Sequence, residues 1–392
     1  MTAPYTERQV LLTLSYLAYS GFYHIDAGDT PDIYRWIERW LATLPPVRDR
    51  WSVVWGPTVF RFPFTVFSDN LMYVVRSLTD PHEYVVVIRG TNPVSWPNVL
   101  FEDLLVRGQW TWNYGDVPVS LQPRLSLGTM TGLRILQRMK APPGLPGQRT
   151  TLREFLTSAL ANNPGEKIRI CITGHSLGGA LAVAVAMWLH DTRRGHLPSA
   201  QKPWDAEERA TLSVVPFATP TPGNADFARW FDDNLGSCCD RVTNQLDVVS
   251  HIWDRDTIQH LPDLYQPRAR MNPIVHLAWR WSQHSVTERG YRHVRADQAP
   301  LAGRFEPYWG SSFIAQALHQ HILGYPLLLG LADLLDLDLL LPAIPVAPVI
   351  HRGAPHAMSS RAVSSQAASR HAAPAATRWP TRLPRPPWRT GR

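Results

Sequence analysis

The sequence predicts an α/β fold: a mostly parallel central sheet with helices on both faces. Three observations lead there. Short β-rich runs alternate with helix-like segments between residues 71 and 245, the order in which strand–helix–strand units are laid down. Tyr84–Ile88 (YVVVI) is apolar at consecutive positions, as a strand in the middle of a covered sheet must be. Lys167–His190 (KIRICITGHSLGGALAVAVAMWLH) passes directly from a β-branched run to an apolar run of strong helix formers.

The elements follow in order. Thr6–Tyr19 reads as a helix capped by Thr6, and 29–44 as a second one, with Thr30-Pro31 as its start signal and Tyr34, Trp36 and Trp40 as an aromatic face. Trp51–Phe67 is apolar but broken by prolines and receives no assignment. Leu71–Ser77 and Tyr84–Arg89 are strands around an Asp80-Pro81 turn. Helices are expected at Thr129–Lys140 and Leu152–Asn162, separated by the Pro142–Gly147 loop, and then comes the central strand and its helix. Thr211–Ala218 is the next strand, Asn224 caps a helix over Ala225–Leu235, and Arg241–Gln245 is a further strand. The stretch 252–300 has no clear period, and 312–330 is helical in parts. From Pro342 the composition turns to Pro, Ala, Ser and Arg, which cannot build a core. One domain over 1–341, with its core motifs in 70–330, and a disordered basic tail over 342–392 are therefore expected.

Charge excludes one class of function. The net charge is +7, but eight arginines and no acid occupy His351–Arg392, so the body is close to neutral. No basic nucleic-acid-binding domain is indicated. The three cysteines, Cys171 and the adjacent Cys238-Cys239, do not form a disulfide framework. Tyr325–Leu341 is apolar but carries Asp333, Asp336 and Asp338, so no transmembrane segment is expected. The N-terminus lacks a basic region followed by a small-residue cleavage site, and the expectation is a cytoplasmic protein, with leaderless secretion open to it. Metal-binding spacings are absent, and no cofactor is expected.

The chemistry sits between central strand and helix, in Gly174-His175-Ser176-Leu177-Gly178. A nucleophilic serine must stand on a sharp turn with its hydroxyl clear of the backbone, and glycines let strand and helix approach around it. At a helix N-terminus, free N–H groups and the dipole favour developing negative charge, so the Leu177 N–H is a candidate oxyanion donor. His175 points away from its neighbour's hydroxyl and reads as packing, and Gly179 as a close helix contact. A serine hydroxyl needs a base, and the base an acid. In α/β-hydrolases these follow in the chain order Ser, acid, His. Asp247 lies just beyond the expected 241–245 strand, whereas Asp254 and Asp256 lie where strand character is lacking and Asp240 precedes the strand. Several histidines from His251 to His321 follow it.

Three blocks resemble the class 3, or fungal-type, lipase family: Ile88–Thr91 (IRGT), Ile172–Ala182 (ITGHSLGGALA), and Phe217–Asn224 with Arg241–Ile252 (FATPTPGN, RVTNQLDVVSHI). They stand in the family's order and span roughly residues 70–330. The resemblance implies an α/β-hydrolase fold with Ser176 as nucleophile, Asp247 as triad acid, Thr91 as second oxyanion donor beside Leu177, and His251 as a structural histidine. It implies a base late in the chain, before an aromatic-bearing terminal helix. His321, in Gln320–Tyr325, fits that place, with His319 as the alternative. The spacing from His321 to Tyr325 departs from the fungal pattern by one residue. The resemblance also implies a lid over 92–112, where Trp96, Phe101, Trp110 and Trp112 stand; these aromatics read equally as the core of a packed helix, and Glu102-Asp103 as a solvated turn. Trp253, Trp279 and Trp281 beside Arg268, Arg270 and Arg280 are read either as an acyl-chain mouth that touches a lipid interface or as an insertion without a catalytic role.

The resulting expectation is a serine hydrolase acting on carboxylic esters of lipids, close to triacylglycerol lipases, with a lipid or ester as its partner. Two alternatives stand beside it: a phospholipase A1-type effector, and a catalytically silent hydrolase fold used as an interaction scaffold.

Overall fold

Strands in the computed structural model are β1 (Trp51–Phe60), β2 (Asn70–Ser77), β3 (Glu83–Ile88), β4 (Gln109–Thr111), β5 (Arg124–Ser126), β6 (Ile168–His175), β7 (Ala210–Phe217), β8 (Gly223–Asn224) and β9 (Tyr291–Arg292). The structure describes residues 5–19, 30–60, 70–89, 108–195 and 203–335, all within one compact unit, residues 1–347. The expected disordered tail over 342–392 lies outside the described residues, as do Thr91 and most of the expected lid, 92–107.

The central sheet has the order β1-β2-β3-β6-β7. It is mixed rather than mostly parallel. β1, β2 and β3 pair antiparallel, and only β3-β6 and β6-β7 are parallel. The reason lies in the connections. A five-residue turn joins β2 to β3, and so short a link can only return the chain antiparallel. Parallel pairing begins where helical crossovers become available.

β3 sits in the middle of this sheet, as its unbroken apolar run requires. Its side chains alternate between two cores: Val86 and Ile88 on one face, Val85 and Val87 on the other. The first face is covered by α3 (Leu127–Arg138), α4 (Leu152–Ala161), α5 (Leu177–Thr192) and α6 (Ala225–Leu235). The second is covered by α1 (Glu7–Leu17) and α2 (Thr30–Thr43). Capping is as the sequence reads it. Thr6 caps α1 in a reciprocal box with Gln9, and the Asn224 side chain accepts from Phe227 N–H at the start of α6. The inward face of α2 is Ile33, Ile37, Trp40 and Leu41, with Tyr34 and Trp36 half-buried beside it.

α5 is buried all round, which makes it the axis of the first core. Its last turn carries a buried carboxylate, Asp191, where the helix dipole is unfavourable to it. Three donors offset this. The indole N–H groups of Trp112 and Trp230 reach Asp191 Oδ2 at 2.7 and 3.0 Å, and His190 Nδ1 reaches Oδ1 at 3.0 Å. Trp112 follows β4 of a second, small sheet ordered β4-β5-β8-β9, so Asp191 ties that sheet to α5. Trp110, on β4, is exposed beneath the guanidinium of Arg134 at 4.4 Å.

The expected strand at 241–245 is not a regular one. The chain runs parallel beside β7, but only through isolated bridges at Val214–Cys239 and Phe217–Val242. Asp240 N–H and Val242 N–H donate to the carbonyls of Val214 and Pro216. The donor that would complete the ladder between them belongs to Pro216, which has none. A third apolar cluster lies beyond, around α7 (Pro273–Glu288) and α8 (Phe313–Ile322), and a short α9 (Gly324–Leu328) follows. Among the described residues no helix is long and apolar enough to cross a membrane.

Candidate active site

Ser176 ends β6 and opens α5. Its backbone lies at φ 62° and ψ −132°, a conformation that L residues seldom adopt and that costs about 1–3 kcal/mol. The surroundings enforce it. Ser176 N–H donates to the Phe217 carbonyl on β7 at 2.9 Å, and α5 begins at once. Glycine is required on the strand side: a Cβ on Gly174 would lie 2.5 Å from the carbonyl oxygens of both Gly178 and Ile88. At Gly179 a Cβ would meet the Phe217 carbonyl and the Thr219 side chain at 3.0 Å, so the helix also packs close to β7. Leu177 is the first residue of α5, and its N–H has no acceptor within the helix.

His321, near the end of α8, brings Nε2 to 2.9 Å from Ser176 Oγ. Its Nδ1 lies 3.1 Å from both carboxylate oxygens of Asp247. All three side chains are buried, Ser176 at 7 %, His321 at 1 % and Asp247 at 0 % exposure. Since the carboxylate only accepts, Nδ1 carries a proton, which leaves Nε2 of the neutral ring as an acceptor for the serine hydroxyl.

Asp247 stands at the turn after the 239–242 segment. Besides His321, it accepts from Tyr325 O–H at 2.7 Å, Ser250 O–H at 3.0 Å and Val249 N–H at 2.9 Å. Burial alone would raise this carboxyl. The charge of the His321 imidazole and the hydrogen bonds from His321, Tyr325 and Val249 outweigh it and hold the group below the usual range.

The competing candidates lie elsewhere. Asp240 pairs with Arg8 at the surface. Asp254 accepts from the backbone N–H groups of Asp256, Thr257 and His293. Neither Nδ1 nor Nε2 of His319 contacts Ser176, its Nδ1 has no partner, and burial pulls its pKa down. His251 donates from Nε2 to the Gln245 carbonyl at 3.0 Å. Thr91 lies outside the described residues.

Sequence reasoning missed the second layer of this site. Tyr325 and Ser250 both hold Asp247, and they lie four residues after His321 and three after Asp247, close enough in sequence to be found by asking what satisfies a buried carboxylate. His175 does pack, against Tyr16, Tyr325 and His321. It also donates from Nε2 to the His321 carbonyl at 2.9 Å. Burial, then the neighbouring His321, push its pKa down to about 3, so it is a neutral ring. α1 backs this arrangement: Ser15 and Thr173 share a hydroxyl contact at 3.2 Å, and Tyr16 O–H donates to the Ile322 carbonyl.

Among the described residues no group of three His, Cys, Asp or Glu side chains could hold a metal ion.

Residues 85–256 match the lipase (class 3) family. Among solved structures, M37 lipase is similar at 35 % identity and a TM-score of 0.79, covering 87 % of this chain and 98 % of its own. Lipase II from Rhizopus niveus matches at 21 % identity and a TM-score of 0.43, over 64 % of this chain and 75 % of its own. Lip2 lipase from Yarrowia lipolytica matches at 18 % and 0.41, over 62 % and 73 %. No curated protein matches the chain. With a third of its residues identical to M37 lipase over nearly all of that chain, and the family's pattern across 85–256, the chain belongs to the class 3 lipase family.

Proposed function

We propose that the protein is a serine hydrolase that cleaves carboxylic esters of lipids, of the triacylglycerol type, through Ser176, His321 and Asp247. The observation that carries this reading is the unbroken relay from Ser176 Oγ through His321 to Asp247, with every contact between 2.9 and 3.1 Å.

The steps follow from those atoms. His321 Nε2 takes the Ser176 proton as Oγ attacks the ester carbonyl. Asp247 holds the ring's tautomer and stabilises the imidazolium. The negative charge that forms on the carbonyl oxygen is met by the Leu177 N–H, and Thr91 is proposed as the second donor. The imidazolium then protonates the departing alcohol, leaving an acyl-Ser176. Water, deprotonated by the same nitrogen, releases the acid and restores the serine.

The lipid part of the proposal draws support from an apolar cleft between α7 and α8, the helix that bears His321. Ile252, Trp253, Val275, Trp279 and Phe313 line it, together with Val248, the residue after Asp247. A lining of this kind suits an acyl chain.

The test is a panel of a short nitrophenyl ester, a triglyceride and a phospholipid, with wild type and Ser176→Ala. The expected result is hydrolysis of the first two by wild type and a loss of about 10⁶ in kcat in the variant. Turnover retained in a purified, folded Ser176→Ala would overturn the nucleophile. A rate on tributyrin that does not rise past its solubility limit would narrow the reading to a soluble esterase.

A further inference from the structure

Behind the loop that carries Asp247 lies a second cavity, of about 220 Å³. Neither Ser176, Asp247 nor His321 lines it. Its wall is polar: Arg241, His251, Asp254, Arg292, His293 and Gln298 contribute to it, and the exposed residues Ala296 and Pro300 stand at its rim. At about 30 Å³ per water, the space holds several waters or one tetrahedral anion with its solvent.

The charges around it are unevenly matched. Asp254 accepts from the three backbone N–H groups of Asp256, Thr257 and His293 and makes no direct pair with a cavity cation, although its charge reaches Arg241. Asp256 is paired with Arg292 and Arg255. His293 is buried and held neutral, with Nδ1 at 3.0 Å from the Thr221 hydroxyl. That leaves Arg241, 7 % exposed. Its Nη2 donates to the Ser250 carbonyl at 3.2 Å, its Nε has no partner, and it makes no ion pair with a described carboxylate. Asp254 and Asp247 are near enough to favour the guanidinium's charge, but neither pairs with it directly, and burial opposes the charge more strongly than they support it, so an acceptor for its unpartnered N–H would lower the cost of burying it.

Beside it His251 supplies the complementary need. Its Nε2 proton is committed to the Gln245 carbonyl, so Nδ1 of the neutral ring is an acceptor, and that atom is buried without a partner. One ligand chemistry answers both groups: acceptor oxygens for a guanidinium, and one O–H for an imidazole nitrogen.

We propose that the cavity formed by Arg241, His251 and His293 is a binding site for a small, free, protonated oxyanion of the phosphate class. The anion's oxygens take the guanidinium N–H groups and its hydroxyl donates to His251 Nδ1. Occupancy stiffens the Asp247 loop, because Arg241 holds the Ser250 carbonyl and the Ser250 hydroxyl holds Asp247.

The experiment is thermal unfolding of the full chain with increasing sodium phosphate, at ionic strength held constant with sodium chloride, followed by phosphorus NMR line broadening as the direct readout. The expected result is a saturating rise in Tm of about 2–4 °C over chloride. The same rise appears in Ser176→Ala, because the cavity is separate from the serine; this keeps the test independent of the proposed hydrolase activity. Sulfate, with no proton to give at neutral pH, shifts Tm by less than half as much. Arg241→Gln abolishes the rise. Since removing a buried arginine risks the fold itself, His251→Leu is the second variant, on the half-exposed wall, and reduces the rise at least twofold. Glycerol 3-phosphate and phosphatidic acid vesicles are compared, to separate a free anion from a lipid headgroup. No saturable rise above chloride, a rise unchanged in His251→Leu, an equal response to sulfate, or a response to vesicles but not to free phosphate would each overturn the assignment.

Discussion

His175 donates its Nε2–H to the backbone carbonyl of His321, 2.9 Å away. The residue before the proposed nucleophile thus holds the main chain of the residue proposed as its base, and the elbow and α8 are joined at the point where their side chains must meet. With its pKa down at about 3, the His175 ring keeps this proton role across the working pH range.

His175→Phe keeps a ring in the same space and deletes the hydrogen bond. A displacement of α8 by even a fraction of an ångström is enough to spoil the Ser176–His321 contact. The expected outcome is a kcat about 10- to 100-fold lower with KM little changed, measured on a short nitrophenyl ester. An unchanged kcat would show that packing alone positions α8.

His321→Ala is expected to lower kcat by about 10⁴-fold or more. His319→Ala, whose ring touches neither Ser176 nor Asp247, should stay within about threefold of wild type. Steady-state kinetics on both variants separate the two histidines, and a reversed order would reassign the base.

Tyr325→Phe removes the 2.7 Å donor to Asp247 and the acceptor of the Asn244 N–H. A buried donor left unpaired costs about 1–3 kcal/mol. Asp247, with one hydrogen bond fewer, rises in pKa and is held less firmly against His321 Nδ1. The expected outcome is a kcat about tenfold lower, measured by steady-state kinetics on a short nitrophenyl ester.

Gly174→Ala places a methyl group 2.5 Å from two carbonyl oxygens, both held by the strand and helix that frame the elbow. Neither can withdraw without breaking its element. The expected loss is about 3 kcal/mol or more, read as a fall in the denaturant midpoint by circular dichroism.

Asp232, half-buried on α6, is pushed up to about 6, first by burial and against the Arg295 N–H bond. The folded state therefore binds its proton more tightly than the unfolded one. The contribution of this one group to stability is therefore greatest below about pH 4 and is lost as pH rises toward 6. Asp232→Asn keeps an acceptor for Arg295 N–H and removes the charge. Discounted for solvent screening at a partly exposed site, the gain is on the order of 1 kcal/mol above pH 6 and near zero below pH 4. Melting curves of both proteins across that range check it.

What could be read from the sequence was local. The elbow was legible because glycine, β-branched and helix-forming residues stand in a run of some twenty positions, and Asn224 and Thr6 because a cap acts on the next turn. β1 was not, because Gly56-Pro57 interrupts its apolar run; the strand tolerates them by lying at the sheet edge with its register shifted between Trp55 and Thr58. The 241–245 segment was read as a strand because its residues suit one, while the missing donor belongs to Pro216 on a neighbour. The pairing of His321 with Ser176, 145 positions apart, has no local signal; the family resemblance supplied it. Tyr325 and Ser250 follow only from the accounting of a buried carboxylate, once that carboxylate is known to be buried.

That separation has a consequence for synthesis. The helix formed first, α1, braces the carbonyl of Ile322 through Tyr16, and Ser176 meets its partner only after 145 further residues are made. On a ribosome adding about 5–20 residues per second, this is a delay of roughly 7–30 s. The nascent chain thus carries the elbow before its proposed base exists, and the proposed relay can close only once α8 has docked.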